Sequence, residues 1–534
     1  MREAASIIYK ALKNNERIST VVDPDVDGFT SAAIMINFIN NYFPKYVNEN
    51  FYYVLHSGKQ HGLADIDLQD IVDRGTSIMW IGDAASNDYE QHKFLVDNGI
   101  DVIITDHHEC DEYSPYAITI NNQMCDYPNK SLSGVGVTWQ LCRAIEEIYQ
   151  LGDYTSKMVD LVALGVLSDM MDYRQIEVRA LVNLGLNAIT NPFFRGMTIK
   201  NKYSIDKMNG INYFSTAFYV TPYINAICRS GTLAEKEIVF KAMCIPYAFQ
   251  KILTTKRGHK GETVALYEEA ILIADRVKRR QTKLQDASMA LLKNKIEKEQ
   301  LLNNSVIVLL CNPGDVEPNI AGLCANKIQA EYQRPTLILI KTHQFKDKED
   351  IYRGSARNYS QCEIEDFRKV CEDTGETSLA QGHQGAFGCW IPESNLDNFI
   401  LKTNEYYKNL DMSPTYWVDY NWNSNQIDSK ILLDLADLNI FGQEIPEVFV
   451  AIKDVSLSES NVTLMSPDKH PTIKIQIGDV SIIKFKSSQE EYESFIQPNT
   501  KITLIGKPAK NEWMGSVSAQ ILIDNYELKT EWVF

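Results

Sequence analysis

Basic residues are in the minority in this chain of 534 residues. It has 53 Lys and Arg but 70 Asp and Glu, which gives a formal net charge of −17. Proteins that bind nucleic acid usually carry a basic surface, so this balance argues mildly against that class. Two local stretches, 251–260 and 276–283, are nevertheless basic. If they line a crevice they would attract a phosphodiester backbone, and otherwise they are solvated helix faces.

Long hydrophobic runs and paired cysteines are missing too. No apolar run approaches the roughly 20 residues that span a bilayer. The ten cysteines form no CxxC pair, and the N-terminal segment MREAASIIYKALKNNE is amphipathic rather than a signal peptide. We therefore expect a cytoplasmic protein without a membrane segment, whose thiols are reduced and buried. The length predicts three or four domains.

Two adjacent histidines follow a carboxylate where an apolar strand ends. The stretch DVIITDHHE (101–109) supplies Asp106, His107 and His108. Such a group is poor material for a hydrophobic core, but imidazole and carboxylate together suit divalent transition metals. By itself the triplet also fits a surface loop, so its interpretation depends on the rest of the chain.

Three alternating carboxylates end an earlier apolar strand. In ISTVVDPDVDGFTSAA (18–33), Asp23, Asp25 and Asp27 precede Gly28 and a predicted helix. Carboxylates this close repel one another, so the loop is costly unless cations hold it or water solvates it. The spacing also suggests an EF-hand, but the preceding helix and the required later Glu are missing.

Two further acidic residues interrupt or end apolar segments. Asp83 follows the strand-like SIMWIG, where a helix cap is the alternative role, and Asp169 breaks the run DLVALGVLSDMMDY (160–173). In an open parallel sheet the carboxyl ends of such elements converge on one crevice. An Asp-rich set there suits two Mn²⁺ or Mg²⁺ ions, the usual apparatus for phosphoester hydrolysis. The candidate ligands are Asp23, Asp25, Asp27, Asp83, His107, His108 and Asp169.

The order DxDxDG, GD, DHH and Asp in an apolar segment resembles the DHH phosphoesterase superfamily. Further segments resemble its RecJ branch, and together they cover almost the whole chain in the RecJ order. They are SLSGVGVTWQLCRAI (131–145), EVRALVNLGL (177–186), TPYINAICR (221–229), RGSARN (353–358), QGHQGAFG (381–388), FGQEIPEVF (441–449) and GKPAKNEWMGSVSAQILIDNYE (506–527).

The resemblance and the pattern of apolar residues imply an α/β fold of several parts. A doubly wound parallel-sheet DHH domain is joined by a long helix to a smaller α/β DHHA1 domain, and an OB-like β-barrel follows. The expected parts are a DHH catalytic domain (1–190), a helical segment of the catalytic lobe (191–260), the connecting helix (261–302), a DHHA1 substrate-binding domain (303–409), a linker (410–430) and an OB-like nucleic-acid-binding domain (431–534).

The resemblance also implies a role for each residue of the metal site. Two divalent cations are expected, with Mn²⁺ favoured and Mg²⁺ as the alternative, and a water activated by them would attack phosphorus in line. The ligands divide into Asp23 and Asp25 on one ion, Asp83 as the bridge, and Asp27, His107 and Asp169 on the other ion. His108 would face the scissile phosphate as a catalytic residue, and Asp106 would orient a histidine.

Substrate-binding residues are implied outside the metal site. Arg suits bidentate recognition of phosphate, and a Gly-rich loop lets backbone approach an anion. The residues are Asn225 and Arg229 in the helical segment, Arg357, Gly382, His383 and Gly385 in the DHHA1 domain, and Trp513 in the barrel, where Phe485, Lys484 and Lys486 would complete a single-strand platform. Without the resemblance, Arg357 also fits a solvated surface position and Trp513 a plug of the barrel.

The chain departs from the RecJ pattern at a few positions. Glu317 stands where His is usual, Asn319 where Gly is usual, and Gln381 where the DHHA1 motif begins with Gly. The change at Glu317 puts one substrate contact in question. None of the three positions is a metal ligand in the pattern, so we expect activity to survive.

The leading interpretation is a metal-dependent exonuclease for single-stranded DNA, 5′ to 3′ by resemblance, in DNA repair, recombination or replication. The alternative is a DHH/DHHA1 phosphodiesterase for short oligonucleotides or cyclic dinucleotides, whose relatives usually lack the barrel. A non-catalytic scaffold is the third interpretation, but such relatives have lost metal ligands. We expect a monomer that binds single-stranded DNA. RNA, and single-strand-binding or helicase proteins, stay open as further partners.

Overall fold

The computed structural model describes residues 1–530, except for 59, 111, 344–348, 360, 362 and 439. The chain forms two compact units, Met1–Pro414 and Thr415–Phe534. In the described part of the chain, no helix has both the length and the apolar character needed to cross a bilayer.

The first unit begins with a sheet of five parallel strands in the order β2-β1-β3-β4-β5. The central strands are nearly continuous apolar runs, because helices cover both faces of such a sheet. The strands are β1 (Arg17–Val22), β2 (Phe51–Leu55), β3 (Thr76–Gly82), β4 (Asp101–Asp106) and β5 (Ile118–Asn121).

Eight α-helices accompany this sheet in the described residues up to 187. They are α1 (Arg2–Asn14), α2 (Val26–Tyr42), α3 (Tyr46–Glu49), α4 (Leu68–Asp73), α5 (Tyr89–Asp97), α6 (Gly134–Tyr149), α7 (Val159–Ser168) and α8 (Ile176–Asn187). One cluster joins Met79 and Ile104 of the sheet to Ile71 of α4 and Leu95 of α5. Helices α2 and α6 pack on each other and on β1 and β4. This is the doubly wound α/β arrangement that the sequence predicts.

A helical segment and one long helix follow. The segment contains α9 (Pro192–Lys200), α10 (Lys202–Asp206), α11 (Tyr213–Tyr219), α12 (Thr221–Ser230), α13 (Leu233–Met243), α14 (Ile245–Ala248) and the hairpin β6 (Lys251–Leu253) and β7 (Thr263–Ala265). Helix α15 (Leu266–Lys298) has 33 residues, about 50 Å at 1.5 Å per residue. It contacts α9, α12 and α13 and also the elements that follow it, so it connects two parts of the unit as predicted.

A second sheet, in the order β11-β12-β10-β9-β8, completes the first unit. Only β8 and β9 run parallel; the other described pairs are antiparallel. Its core includes Phe367, Phe387 and Phe399. The elements are β8 (Ile307–Cys311), α16 (Pro318–Tyr332), β9 (Thr336–Thr342), β10 (Ile351–Arg357), α17 (Phe367–Asp373), β11 (Leu379–His383), β12 (Ala386–Pro392) and α18 (Leu396–Tyr407).

The second unit is a seven-stranded sheet in the order β13-β14-β18-β19-β17-β16-β15. Its elements are β13 (Tyr420–Asn423), α19 (Ser429–Ala436), β14 (Val450–Ser456), β15 (Val462–Met465), β16 (Thr472–Ile477), β17 (Val480–Lys484), α20 (Gln489–Phe495), β18 (Thr500–Trp513) and β19 (Ser516–Thr530). The long β18–β19 hairpin turns tightly between Trp513 and Ser516.

Residues 410–430 differ from the predicted linker. Within them β13 pairs in parallel with β14, and α19 begins at Ser429. The aromatic and apolar side chains of this stretch explain the difference, because Trp422 and Ile427 pack against the core of the second unit. The segment is polar in composition, but its few large side chains are enough to anchor it.

Candidate metal centre and phosphate-binding residues

The carboxyl ends of three neighbouring strands carry most of the candidate ligands. Asp23 follows β1, Asp83 follows β3 and His107 follows β4. Asp25 caps the N-terminus of α2, where its Oδ1 accepts the N–H of Gly28 at 2.9 Å. Strands β1 and β3 meet where the strand order reverses, which is the ligand-binding position of open α/β sheets.

Asp169 reaches the same place from a helix. The apolar run 160–173 contains the end of α7, and Asp169 is the residue that ends this helix. The run is apolar because α7 is buried on nearly all sides, not because it forms a strand. Asp169 therefore does not follow a strand as the other candidate ligands do, although it lies with them.

The ligand atoms gather in three overlapping groups, with every atom of a group within 4.8 Å of the others. The groups are Asp23, Asp25 and Asp83; Asp27, His107 and Asp169; and Asp83, Asp106, His107 and His108. The first two coincide with the ligand sets that the sequence analysis divides between two ions. The assignment of individual ions stays a prediction.

The buried atoms at the centre fit a cation. His107 Nε2 lies 3.3 Å from Asp83 Oδ1 and 3.3 Å from Asp169 Oδ2. Neither the Nε2 atom nor Asp83 Oδ1 has a hydrogen-bond partner among the residues that the structure describes. Buried polar atoms without partners are costly, so their convergence is the arrangement expected of ligands that share a metal.

The pKa values of these buried, closely spaced aspartates also indicate a cation site. Burial raises the pKa of Asp23 and of Asp27 to about 6. Burial, followed by the charges of neighbouring aspartates, raises the pKa of Asp83 and of Asp169 well above the ordinary value. Carboxylates that resist ionisation without a counter-ion are the ones that divalent cations would stabilise most.

His108 and Asp106 form a separate pair beside the cluster. His108 Nδ1 donates to Asp106 Oδ1 at 2.8 Å, and the Asp106 carboxylate also accepts the backbone N–H groups of His107 and Ser86. Burial acts to lower the pKa of His108, but the hydrogen bond to Asp106 and the negative charges around it raise it to about 9. His108 is exposed while Asp106 is buried, so the pair presents a protonated imidazole to the crevice.

The backbone at Asp83 takes an unusual conformation. Its φ angle is +66°, in the left-handed region that residues with side chains rarely adopt. Helix α6 begins against it at Gly134, where a Cβ would lie 2.4 Å from the Cβ of Asp83. Strain of this kind is typical of functional sites, and here it aims a carboxylate into the centre of the cluster.

One residue beside the cluster, His61, is absent from the ligands and partners predicted from sequence. Its Nδ1 atom lies 2.7 Å from Asp23 Oδ2. His61 belongs to the loop between β2 and α4, which also leaves the carboxyl edge of the sheet. A search for polar residues after every strand, rather than for clusters of them, would have found it.

Arg229 and Arg357 lie close together in the first unit. Arg229 is near the end of α12 and Arg357 ends β10. Burial, followed by the charge of Arg229, lowers the pKa of Arg357 to about 10. Guanidinium groups near enough to repel each other favour a bound anion, and phosphate is a suitable one. Asn225 is one turn before Arg229 on the same helix and is half-buried.

Part of the basic stretch 276–283 belongs to this cationic group. Burial, followed by the charges of Lys327 and Arg229, lowers the pKa of Lys278. By contrast, Arg279 pairs with Asp275 at 2.9 Å and Arg280 pairs with Glu235 at 2.9 Å. The stretch is therefore partly a solvated, internally paired face and partly an extension of the arginine pair.

The Gly-rich loop of the second sheet contains His383, which is exposed at the end of β11. Burial, followed by the charge of His108, lowers the pKa of His107 to about 4, and the charge of His383 acts in the same direction. Gly382 has a φ angle of +130° and its carbonyl accepts a hydrogen bond from Arg368. Gly385 is at the following turn, where its carbonyl accepts the N–H of Asn358. Glu317 and Asn319, the departures from the RecJ pattern, are exposed at the start of α16.

In the second unit, the aromatic residues of the predicted platform are on the surface. Trp513 is 69% exposed and Phe485 is 59% exposed, so Trp513 does not plug a barrel. Lys484 is engaged with Glu491 at 2.9 Å. The indole of Trp513 is therefore open to solvent, while Lys484 is partly neutralised.

Family models match both units. The DHH family, N-terminal domain, matches residues 17–166, and the RecJ OB domain matches residues 418–525. The first match contains the aspartates after β1 and β3 and the histidine pair after β4. The second contains the β18–β19 turn with Trp513.

Curated relatives match the chain along its length. A Bacillus subtilis (strain 168) protein with the provisional name SPbeta prophage-derived single-strand DNA-specific exonuclease YorK is 32% identical over 533 residues, which cover 99% of this chain and 90% of that protein. The single-stranded-DNA-specific exonuclease RecJ of the same organism is 23% identical over 542 residues, covering 100% of this chain and 64% of RecJ.

Solved structures show the same fold. RecJ from Thermus thermophilus in complex with Mn²⁺ superposes with a TM-score of 0.73 at 19% identity, over 100% of this chain and 72% of that chain. The same protein in complex with Mg²⁺ gives a TM-score of 0.67 at 19% identity, over 99% and 70%. With the full-length likeness to YorK, these findings establish that the chain belongs to the DHH family, in its branch of RecJ-type single-strand-DNA-specific exonucleases.

Proposed function

We propose that this chain is a metal-dependent exonuclease that hydrolyses the phosphodiester bonds of single-stranded DNA from the 5′ end. The observation that carries the proposal is the position of His107 Nε2, 3.3 Å from each of two aspartate oxygens, in a cluster that brings together the ligands implied by the family resemblance. Membership in the exonuclease family supports the choice of substrate. The 5′-to-3′ direction rests on the family resemblance alone.

The residues of the cluster would hold two divalent cations, Mn²⁺ in the first place and Mg²⁺ as the alternative. Bound there, the ions would supply an activated water and neutralise charge on the phosphate. Oxygen-rich ligands with a single imidazole suit these metals better than zinc or copper. The ligand sets are Asp23, Asp25 and Asp83 for one ion and Asp27, Asp83, His107 and Asp169 for the other.

His108 would act on the reacting phosphate. The bond from its Nδ1 to Asp106 fixes the ring and leaves Nε2 for the substrate. Because the pKa of His108 is raised to about 9, the ring is protonated near neutral pH. It can stabilise negative charge on the phosphate or give a proton to the leaving oxygen. Asp106 is then a positioning residue that holds His108 in its protonated form.

The arginine pair would bind the phosphates of the strand next to the reacting one. Arg229 and Arg357 are suited to this by their planar donors, with Lys278 extending the positive charge along α15. His383, with the backbone of Gly382 and Gly385, would contact phosphate from the side opposite the metal ligands, and Asn225 would add an amide. In the second unit, Trp513 would stack on a base of single-stranded DNA.

We propose a monomer that works in the cytoplasm, because seven buried cysteines among the described residues are free thiols of the kind found in reducing compartments. A second copy is not needed, since the described ligands all come from one chain. RNA cleavage and association with single-strand-binding or helicase proteins are left to experiment.

One assay tests the proposal. Purified protein with Mn²⁺ is given single strands of DNA or RNA that carry a label at the 5′ or the 3′ end, and Asp83→Asn serves as the inactive control. We expect the 5′ label to be released first as a mononucleotide, while the 3′-labelled strand shortens progressively. Release from the 3′ end would overturn the direction. Cleavage of dinucleotides alone would favour the small-nucleotide phosphodiesterase.

A further inference from the structure

The loop between β2 and α4 holds the first candidate metal ligand by both carboxylate oxygens. His61 Nδ1 donates to Asp23 Oδ2 at 2.7 Å, and the N–H of Gly62 donates to Asp23 Oδ1 at 3.3 Å. The Asp23 side chain is only 1% exposed, whereas the His61 side chain is 65% exposed. Each carboxylate oxygen has two lone pairs, so this grip leaves capacity for a metal.

The loop is itself fixed by a buried ammonium group. Lys236 on α13 is 2% exposed, and its Nζ donates to the carbonyl oxygens of His56, Ser57 and Gly58 at 2.9, 3.2 and 3.1 Å. Three carbonyls match the three N–H donors of a lysine, which is what a buried ammonium needs. The start of the loop is therefore tied to a helix that carries no predicted ligand.

The other end of the loop is tied to Asp88. The N–H of Leu63 donates to Asp88 Oδ2 at 2.7 Å. Gly62 has a φ angle of +68°, and a Cβ at this position would lie 2.3 Å from Asp88 Oδ2. Only glycine allows the chain to pass between Asp23 and Asp88 in this way. His61 thus stands between two anchored ends.

We propose that the β2–α4 loop is a clamp for Asp23 and that His61 is a positioning residue for metal binding. The inference rests on the proposed function only in taking Asp23 as a metal ligand. A carboxylate that is free to rotate would lose conformational entropy when it binds a cation. One held by an imidazole N–H and a backbone N–H is already oriented and would lose less. Groups that orient metal ligands in this way typically contribute about 10- to 100-fold to metal affinity.

The test measures Mn²⁺ binding to the full chain in the absence of DNA. Titration calorimetry is used on the wild type, His61→Ala, His61→Asn and the control His259→Ala. His259 forms a similar pair with Glu262 at 2.9 Å, but in the β6–β7 hairpin. We expect His61→Ala to weaken Mn²⁺ binding about 10- to 100-fold. His61→Asn, whose amide can replace the Nδ1 donor, should recover part of this, and His259→Ala should match the wild type.

A second variant leaves His61 in place and moves the loop. Gly62→Ala cannot keep the present path past Asp88, so it should weaken Mn²⁺ binding in the same direction, with circular dichroism as the check on folding. In nuclease assays, the Mn²⁺ concentration for half-maximal rate should rise for both His61→Ala and Gly62→Ala. The rate at saturating Mn²⁺ should stay within a few-fold of wild type, as a positioning role requires.

The outcomes separate the clamp from other roles. Unchanged Mn²⁺ affinity in His61→Ala overturns the proposal, and if single-strand affinity falls instead, His61 contacts the substrate. A saturating rate that stays low at any Mn²⁺ concentration also overturns it, since His61 would then act in the chemical step. If His61→Ala weakens Mn²⁺ binding but the wild type cuts no single strand, the clamp stands and the proposed function fails.

Discussion

Asp27 offers a direct test of the electrostatic argument, because replacing it should stabilise the protein while destroying the site. Asp27 is buried, and its Oδ1 accepts hydrogen bonds from the hydroxyl of Ser133 at 2.9 Å and the N–H of Val135 at 3.3 Å. In Asp27→Asn the amide oxygen keeps these bonds, and the amide nitrogen offers Asp83 a donor. The variant therefore removes a charge with little change in shape.

The expected gain follows from the pKa of Asp27. Burial raises it from 3.8 to about 6. A raised pKa means that folding favours the neutral form, so this contribution to stability is complete below pH 3.8 and is lost as pH rises through about 6. At about 1.36 kcal/mol per pH unit, ionised Asp27 destabilises the metal-free protein by about 3 kcal/mol at pH 8 and about 1 kcal/mol at pH 4.5. Asn does not ionise, so the variant avoids this cost.

The assay is urea unfolding in EDTA at both pH values, for wild type, Asp27→Asn and Asp101→Asn as a control at the exposed start of β4. We expect Asp27→Asn to have the higher free energy of unfolding, with the larger difference at pH 8. Adding Mn²⁺ at about 100 times its dissociation constant should stabilise the wild type by about 2.7 kcal/mol and the variant by less. A variant that is less stable than wild type at pH 8 in EDTA would refute the reasoning.

Other predictions concern chemistry and substrate capture. Asp83→Ala and His107→Ala should each abolish release of labelled nucleotides with an unchanged circular dichroism spectrum, because no neighbour can replace either ligand. Arg357→Ala should weaken single-strand binding about 10- to 100-fold in a fluorescence titration and leave Mn²⁺ affinity intact, since it removes charged hydrogen bonds to phosphate only. Lys278→Ala should lower the slope of log affinity against log salt concentration by about 0.7, the value for one phosphate contact on a single strand. The fragment Met1–Pro414, if circular dichroism shows that it is folded, should lose affinity for long strands but still cleave a dinucleotide. If truncation leaves the ratio of the cleavage rates on a long strand and on a dinucleotide unchanged, the role given to the second unit is contradicted.

The ligands that sequence predicts best are those directly after buried strands. Asp23, Asp83 and His107 each follow an apolar run that can be recognised as a strand from sequence. A parallel sheet must bring the carboxyl ends of these strands to one edge. The long helix was also predictable, because residues 261–300 lack Pro and keep helical spacing; it occupies Leu266–Lys298. These features depend on local pattern and one topological rule.

The features that sequence could not give depend on non-local packing. A short apolar run is compatible with a buried strand or a buried helix, so the helix that carries Asp169 could not be distinguished in advance. The pairing of β13 with β14 joins residues about 30 positions apart, which made the segment look like a linker. His61 meets Asp23 only because Lys236 and Asp88 fix the loop between β2 and α4.

Local positive charge in the first unit explains how an acidic chain could bind a polyanionic substrate. Without cations, the carboxylates of the metal cluster would repel a phosphate, while Arg229, Arg357 and Lys278 would attract one. Two divalent ions would add four positive charges and make the whole crevice attractive. Because such coupling is reciprocal, a bound strand must strengthen metal binding by the same factor by which the metal strengthens binding of the strand. With a net charge of −17, the protein would bind a single strand mainly where metal ions or arginines make the local charge positive. Binding of DNA at the catalytic crevice is then favoured over non-specific binding elsewhere on the surface.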